Sequence, residues 1–292
     1  MSRESDMGLA YLESLHICPA RDTKEFHAKV SDALGKAVYE QFTKVSGEVA
    51  SVPGSGKNSA YYAFKNQNEY LNHTISGLWD GDIYRAIVNW LFEHREYFGR
   101  DILDIGCDNG ILSCFIAKML PKSQITGIDK CWKAMKVARK TAVCLGLANV
   151  KFFTAEAGRY DPSALFDTVI SIRTVHENFA VRHSVFPASH CNAVDEASGQ
   201  LTPYARCMAG HVAPAGNLIT IERFDLETNK SGWLRALYEE RFSPDSKGCE
   251  KITVQEVGVY STLDACAFVR RGAGQPSQSR LWSGMRGDPL RV

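Results

Sequence analysis

The stretch DIGCDNG, residues 104–110, follows a short apolar run and leads into a helical pattern. Gly106 and Gly110 permit a tight turn and a close approach of a ligand to the backbone. A dinucleotide-binding loop of the form G-x-G-x-x-G needs its second glycine where this chain has Asp108. Because a carboxylate there would face a pyrophosphate, the loop predicts a nucleoside ligand without phosphates, one that can carry positive charge.

On both sides of this loop, short runs rich in isoleucine and valine alternate with helical patterns. We expect strands at 101–106, 124–129, 150–154, 166–172 and 216–221, and helices at 110–120, 131–145 and 201–212. Such an alternation is typical of a parallel sheet covered on both faces, and right-handed crossovers make it doubly wound. The predicted fold class is therefore α/β, with a Rossmann-like sheet.

The end of the chain departs from this alternation. A helix predicted over 232–242 precedes two strand-like runs, 251–260 and 263–270, separated by a short turn. Strands joined so closely pair antiparallel, because a parallel return needs about a dozen residues or more. The sheet is therefore expected to be mostly parallel with an antiparallel last strand. Residues 272–292 lack periodicity and are predicted to form a flexible basic tail.

The region before the first strand predicts a helical extension. The apolar period indicates one helix over 23–45, ending near Gly47, and a second helix starting near Asp82. Between them lie a break at residues 51–56 and a polar, aromatic stretch for which no helix is predicted. We thus divide the chain into an N-terminal helical and aromatic lid segment over 1–80, the sheet domain over 81–271, and the tail.

Composition excludes several classes of protein. The 292 residues include 34 basic and 33 acidic side chains, a net charge of +1, and 45% are hydrophobic. This is ordinary for a globular chain and argues against a dedicated nucleic-acid binder. No apolar run is long enough to span a membrane, and the charged residues 1–6 do not resemble a secretory signal. The nine scattered cysteines lack C-x-x-C spacing, so we expect a reducing, cytoplasmic compartment and no metal site.

Three motifs together resemble the class I S-adenosylmethionine-dependent methyltransferases. They are DIGCDNG at 104–110, GID at 127–129 and FDTVIS at 166–171, which agree with that family in order and spacing. The turn PAG at 214–216 and the antiparallel final hairpin are also similar. The resemblance covers roughly residues 80–270 and implies an enzyme that uses S-adenosyl-L-methionine. Asp108 departs from the family, which usually has glycine at that position.

The resemblance assigns the cofactor-binding residues by position. Asp104 and Gly106 would approach the methionine moiety, within the loop that Asp108 and Gly110 complete. Asp129 would hold the ribose hydroxyls, and it would also suit the N-terminus of the following helix. The remaining candidates are Lys130 and Cys131 at the adenine, Glu156 and Ala157 after the third strand, and Ser171 on the sulfonium side. Glu156 would accept from the adenine amino group; the alternative is a solvated loop carboxylate.

The candidates for catalysis and acceptor binding lie near the end of the fourth strand and in the lid segment. His176, with Glu177, is the candidate general base, and the alternative is that His176 packs under the following loop. Methyl transfer is an in-line displacement, so positioning supplies much of the catalysis, and a base adds roughly 100- to 10,000-fold where the acceptor loses a proton. The predicted acceptor contacts are Tyr61, Tyr62, Tyr70, Arg173 and Phe179. The aromatic side chains can equally serve to pack the N-terminal helices on the sheet.

Three functions remain open from the sequence. The first is methyl transfer to an oxygen or nitrogen of a small molecule. The second is an RNA methyltransferase acting on tRNA or rRNA. It is suggested by the basic tail and by Lys133, Lys136, Arg139 and Lys140, which also fit the solvated face of a helix. The third is a protein that binds the cofactor without catalysis.

Overall fold

The computed structural model describes residues 6–17, 19–51, 58–161, 165–175, 190–224, 227–256 and 259–271. Within these ranges, the part before residue 101 is helical and carries no strand, as predicted. Its helices are α1 (Met7–Ser14), α2 (Thr23–Leu34), α3 (Lys36–Ser51), α4 (Asn58–Lys65) and α5 (Glu69–Glu93). None of the helices in the described ranges is long and apolar enough to cross a membrane.

The N-terminal helices differ in detail from the sequence prediction. The helix expected over 23–45 is broken at Gly35, whose φ of 75° is outside the helical range, and α3 continues past Gly47. The aromatic stretch, for which no helix was predicted, contains α4. The second long helix begins at Glu69 rather than near Asp82, so it crosses the expected boundary between the lid segment and the sheet domain.

Seven strands of the described chain form one sheet in the order β3-β2-β1-β4-β5-β7-β6. They are β1 (Asp101–Ile105), β2 (Gln124–Asp129), β3 (Val150–Thr154), β4 (Phe166–Ile172), β5 (Val212–Glu222), β6 (Phe242–Glu256) and β7 (Val259–Arg270). β1 to β5 pair in parallel. The other helices are α6 (Ile111–Met119), α7 (Trp132–Cys144), α8 (His190–His211) and α9 (Glu227–Glu239). The predicted doubly wound, mostly parallel sheet is confirmed.

The largest errors in the sheet domain lie around β5. The preceding helix begins at His190 rather than at residue 201, and β5 begins at Val212 rather than at Gly216. The ladder between β4 and β5 shifts register between the pairs Phe166–Val212 and Thr168–Asn217. Pro214 lies in this irregular stretch, where its missing N–H removes no regular ladder bond. We expected β5 to begin only after Pro214, because proline is rare inside strands, whereas the structure has Pro214 within β5.

The last two strands form the predicted antiparallel hairpin, but its turn lies elsewhere. β6 ends at Glu256, and Tyr260 already pairs with Gln255 from within β7. The turn expected at residues 261–262 is therefore wrong. Cys249 and Cys266 are directly opposite each other on the two strands and form a disulfide, a pairing that the scattered cysteines did not indicate.

Alternate strand residues fill an apolar cluster on each face of the sheet, because side chains of a strand point to opposite faces. One cluster, covered by α5, α6 and α7, contains Ile102, Ile170 and Ile219. The other, covered by α8 and α9, contains Leu103, Val169 and Leu218. A third cluster lies among the N-terminal helices and includes Phe26, Phe42, Phe64, Leu71 and Ile75. Since α5 supplies Ile83 and Ile87 to the first cluster and Leu71 and Ile75 to the third, it joins the two.

Trp233 of α9 gives a test of the second cluster. Its side chain is 1% exposed, and its indole N–H has no hydrogen-bond partner among the described residues. We expect Trp233→Ala to lower the free energy of unfolding by about 3–5 kcal/mol through the cavity that it leaves. Trp233→Phe should cost clearly less, because it removes an unsatisfied donor and keeps an aromatic ring. Urea denaturation of both variants measures this, and equal losses would contradict it.

Candidate active site

The loop after β1 has the backbone of a ligand-binding turn. Gly106, Asp108 and Gly110 have φ values of 76°, 41° and 73°. A Cβ on Gly106 would lie 2.4 Å from Cγ2 of Thr174, and one on Gly110 would lie 2.7 Å from Cβ of Ala138. Because side chains would clash at both positions, only glycine permits the loop to pack this closely against the residues after β4 and against α7.

Asp129 joins this loop to the end of β2. One carboxylate oxygen accepts a hydrogen bond from the backbone N–H of Asp108 at 3.1 Å, and the other accepts from that of Cys131 at 2.7 Å. The two amides fix the orientation of the carboxylate. The structure thus brings together the predicted residues of the first two motifs, at the edge where parallel strands present their carboxyl ends.

Asp104 is the most deeply buried carboxylate of the loop region. It accepts a hydrogen bond from the hydroxyl of Ser113 on α6. The pKa of Asp104 is raised to about 7, chiefly by burial and to a smaller extent by the charge of Asp129, while the Ser113 bond partly opposes the shift. Since a nearby cation favours the ionised carboxylate, a positively charged ligand would be stabilised here.

Asp108 turns its side chain toward the N-terminal helices. One oxygen lies 2.6 Å from Nζ of Lys65, at the end of α4, and the other accepts from Nδ2 of Asn66 at 3.1 Å. Lys65 is 4% exposed. Burial lowers the pKa of Lys65, but the charge of Asp108, together with Tyr84 and other tyrosines, raises it above its ordinary value. Asp108, which stands where the resembling family usually has glycine, is therefore paired with the buried cation of Lys65.

A chain of buried amides continues this contact into α5. Nδ2 of Asn109 donates to Oδ1 of Asn72 at 2.9 Å and lies 3.3 Å from the hydroxyl oxygen of Ser76. Asn72 in turn donates to Oδ1 of Asn66 at 2.5 Å. Sequence reasoning missed this network, and only the unexpected carboxylate of Asp108 hinted that the loop had a partner elsewhere.

Glu222, at the end of β5, holds the residues that follow β4. Its fully buried carboxylate accepts from the backbone N–H groups of Thr174 at 2.7 Å and Val175 at 2.9 Å. Ser171 is also fully buried, and its hydroxyl bonds to the side chains of Thr174 and Tyr204. Thr174 therefore lies between the hydroxyl of Ser171 and Gly106 of the loop. Sequence reasoning missed Glu222, although a glutamate ending an apolar strand was a signal.

Arg173 and two of the predicted tyrosines lie on the lid side of the β4 end. Arg173 has a φ of 57° and donates from its guanidinium to Oδ1 of Asp80 at 2.8 Å; this carboxylate raises the pKa of Arg173. The rings of Tyr61 and Tyr62 meet edge to face, 5.7 Å apart. Burial raises the pKa of Tyr61 to about 12. Tyr62 and Tyr84 also raise the pKa of Arg173.

Tyr70, another predicted acceptor residue, is not brought to this place. Tyr70 is 61% exposed and donates its hydroxyl to the carbonyl oxygen of Ala33 at 2.7 Å, on the outer surface of the N-terminal helices. His176, Glu177 and Phe179 lie outside the described residues. Their predicted roles remain predictions.

The candidates for the adenine side surround the end of β2 and β3. Lys130 is exposed and Cys131 is half-buried directly after Asp129. Glu156 is exposed and pairs with Arg159 at 3.1 Å. The carbonyl of Ala157 lies 3.3 Å from Nε2 of His211.

One group of side chains has the spacing of metal ligands. Glu93, His94 and Glu250 offer ligand atoms within 4.8 Å of one another, on α5 and β6. Both ring nitrogens of His94 already face carbonyl oxygens, those of Trp90 at 3.0 Å and Lys247 at 3.3 Å. The group shares no residue with the loop after β1.

Comparison with known proteins identifies the family of this fold and loop. The model of a methyltransferase domain family matches residues 99–235, from the start of β1 into α9. This range contains the loop, Asp129 and the residues after β4. Residues 99–235 therefore match a methyltransferase domain, in agreement with the resemblance of the three sequence motifs to class I S-adenosylmethionine-dependent methyltransferases.

Individual relatives of the methyltransferase domain cover less of the chain. A ubiquinone biosynthesis O-methyltransferase of Stutzerimonas stutzeri is 39% identical over 28% of this chain and 35% of its own length. A probable RNA methyltransferase of Arabidopsis thaliana is 36% identical over 25% of this chain and 22% of its own length. The solved magnesium protoporphyrin IX methyltransferase of Synechocystis PCC 6803 is 20% identical, with 65% of this chain and 82% of that chain covered and a TM-score of 0.45. The chain thus spans about a fifth to a third of the length of these two sequence relatives.

The residues present fit S-adenosylmethionine. The backbone at Gly106 leaves no room for a side chain, and the polar groups around the loop include the carboxylates of Asp104, Asp108 and Asp129. Such a set suits a nucleoside with hydroxyls and positive charge and is unsuited to phosphates. The chemistry expected from the sequence of the loop therefore agrees with the cofactor of the family.

The raised pKa of Asp104 predicts a pH-dependent stability difference. The folded pKa of about 7 exceeds the ordinary value of 3.8, so the folded chain holds an extra proton between these pH values. Asp104 therefore lowers stability progressively as pH rises from about 4 to 7. Relative to wild type, Asp104→Asn should gain about 2–4 kcal/mol of stability between pH 5 and pH 8. Urea unfolding at both pH values measures the gain; a difference independent of pH would contradict it.

Proposed function

We propose that the chain transfers a methyl group from S-adenosylmethionine to an oxygen or nitrogen of a small-molecule acceptor. The observation that carries this proposal is the juxtaposition of two regions on the same sheet edge. A loop lined with carboxylates lies beside Tyr62, whose ring centroid is 5.2 Å from Nζ of Lys65, and Arg173, which binds Asp80. The O-methyltransferase among the relatives supports the same substrate class.

For the cofactor, we infer the following roles. Asp104 and Gly106 approach the methionine moiety, Asp129 accepts from the ribose hydroxyls, and Lys130 and Cys131 line the adenine. Glu156 accepts from the adenine amino group, which requires it to leave Arg159. When bound, S-adenosylmethionine supplies a methyl group activated by a sulfonium sulfur.

The chain contributes chiefly by positioning. Glu222 fixes the backbone of Thr174 and Val175, and His176 follows directly in the sequence. We infer that His176, with Glu177, receives the proton of an acidic acceptor. Holding the acceptor in line with the methyl group can contribute about 7–11 kcal/mol, more than the roughly 3–5 kcal/mol of a general base. Tyr61, Tyr62 and Arg173 would form the acceptor wall.

An RNA methyltransferase is the second candidate, because one surface favours it. Trp132, at the start of α7, is 52% exposed, with Nζ of Lys136 4.4 Å from its ring centroid and Nζ of Lys133 at 5.9 Å. An exposed aromatic ring beside lysines can stack an unpaired base. The near-neutral net charge of the chain counts against this candidate.

We also infer the organisation and location of the protein. Residues 81–271 would be the catalytic domain, 1–80 a lid and 272–292 a basic tail. A cytoplasmic location is supported by the free thiols of Cys107, Cys114 and Cys207. The Cys249–Cys266 disulfide is the observation against it.

An acceptor screen tests the proposed function. Purified protein is incubated with S-adenosylmethionine and phenols, amines or bulk tRNA and rRNA, and release of S-adenosylhomocysteine is measured. We expect turnover with a phenol or amine; turnover with RNA alone would select the second candidate. Asp129→Ala should weaken cofactor binding roughly 10- to 150-fold in calorimetry. Cofactor binding without turnover on any acceptor would favour a catalytically silent protein, and no binding by wild type at millimolar cofactor would refute the assignment.

The tyrosines give a matched test of the acceptor wall. We expect Tyr62→Ala or Tyr61→Ala to raise KM for the acceptor about 10-fold, since either removes an aromatic ring of the proposed acceptor wall. Tyr70→Ala, on the outer surface, should leave KM within about 2-fold of wild type. Steady-state kinetics distinguishes the three variants. An increase in KM confined to Tyr70→Ala would show that the acceptor wall lies elsewhere.

A further inference from the structure

Lys65 and Asp108 form an ion pair of opposite charges directly at the cofactor loop. Nζ of Lys65 lies 2.6 Å from Oδ2 of Asp108, and Lys65 is nearly inaccessible to solvent. Burying an ammonium group is costly unless its donors are used. An ammonium has three donors, and within the described part of the chain Asp108 is the one acceptor that Lys65 reaches. The pair therefore has donor capacity beyond what the protein uses.

We propose that Lys65 binds the carboxylate, and Asp108 the ammonium, of the amino-acid end of the cofactor. This inference rests on the proposed function. An α-amino acid presents both charges on neighbouring atoms, and a fixed pair of opposite charges is the complement of such a zwitterion. Each charge of the ligand would gain a charge-assisted hydrogen bond, the stronger class of such bonds.

The amide network gives this receptor its fixed geometry. Asn66 holds the second oxygen of Asp108 at 3.1 Å, and Asn72 links Asn66 to Asn109 of the loop. The helix α5 that carries Asn72 is anchored in two apolar clusters. The N-terminal helices are therefore part of the cofactor site itself, in addition to their role as an acceptor wall.

Two ligands that differ only at the amino-acid end test the proposal. S-adenosylhomocysteine carries the ammonium and carboxylate, whereas 5′-methylthioadenosine has the same nucleoside and thioether without them. Calorimetry of the full chain gives the Kd of both ligands for wild type, Lys65→Met, Asp108→Gly and the double variant. Lys122→Met removes an exposed lysine of the turn before β2 and is the matched control.

We expect Lys65→Met to raise the Kd of S-adenosylhomocysteine roughly 10- to 100-fold and that of 5′-methylthioadenosine less than about 3-fold. Lys122→Met should change neither. Lys65→Met alone leaves the carboxylate of Asp108 without its cation, which can destabilise the fold. The double variant removes both charges and has glycine at position 108, so it controls for misfolding. It should keep its Tm and 5′-methylthioadenosine affinity and still bind S-adenosylhomocysteine weakly.

Two outcomes would overturn the proposal while leaving the proposed function intact. One is equal weakening of both ligands in the Lys65 variants, which would indicate a merely structural pair. The other is unchanged affinity for S-adenosylhomocysteine in the double variant. If wild type binds neither ligand at millimolar concentration, the proposed function itself fails.

Discussion

The register of the central parallel strands determines where every polar group of the site lies. Asp104 of β1 is opposite Gly127 of β2 and Ile170 of β4, so the three strands end at the same level. The loop after β1 is then closed by backbone hydrogen bonds from Gly106 and Cys107 to the carbonyl of Ile128, at 2.8 and 3.1 Å. A one-residue slip would turn the strand's alternate side chains to the other face. It would also move Asp104 away from Ser113.

The glycine loop after β1 connects the parallel sheet to the N-terminal helices α4 and α5. On one side, Asp129 of β2 receives the backbone N–H of Asp108. On the other, the side chain of Asp108 binds α4, and that of Asn109 binds α5. Since buried polar networks stabilise a structure only when their members are paired, the fold of the helices and the shape of the loop depend on each other.

The parallel sheet was largely predictable, because its strands are buried on both faces and read as continuous apolar runs. The bounds expected for β2, β3 and β4 agree with the structure. The start of α5 was not predictable in this way. Its first turns bury Asn72 and Ser76, which bind Asn109, so polar side chains interrupt the apolar period that would mark a helix. The resemblance located Asp129 and the loop glycines at one site. Lys65 and Glu222 act through contacts distant in sequence, and even the glutamate at the end of an apolar strand does not indicate which residues it binds.

The Lys65–Asp108 contact also constrains how this sequence can diverge. Either residue changed alone leaves a poorly solvated charge beside the loop, whereas exchange of both for neutral residues removes the penalty. Positions 65 and 108 should therefore vary together among close relatives, with lysine accompanying the acidic residue and glycine accompanying an uncharged partner. Such paired variation would link a helix outside the matched domain to its central motif, so that the two segments evolve as one unit.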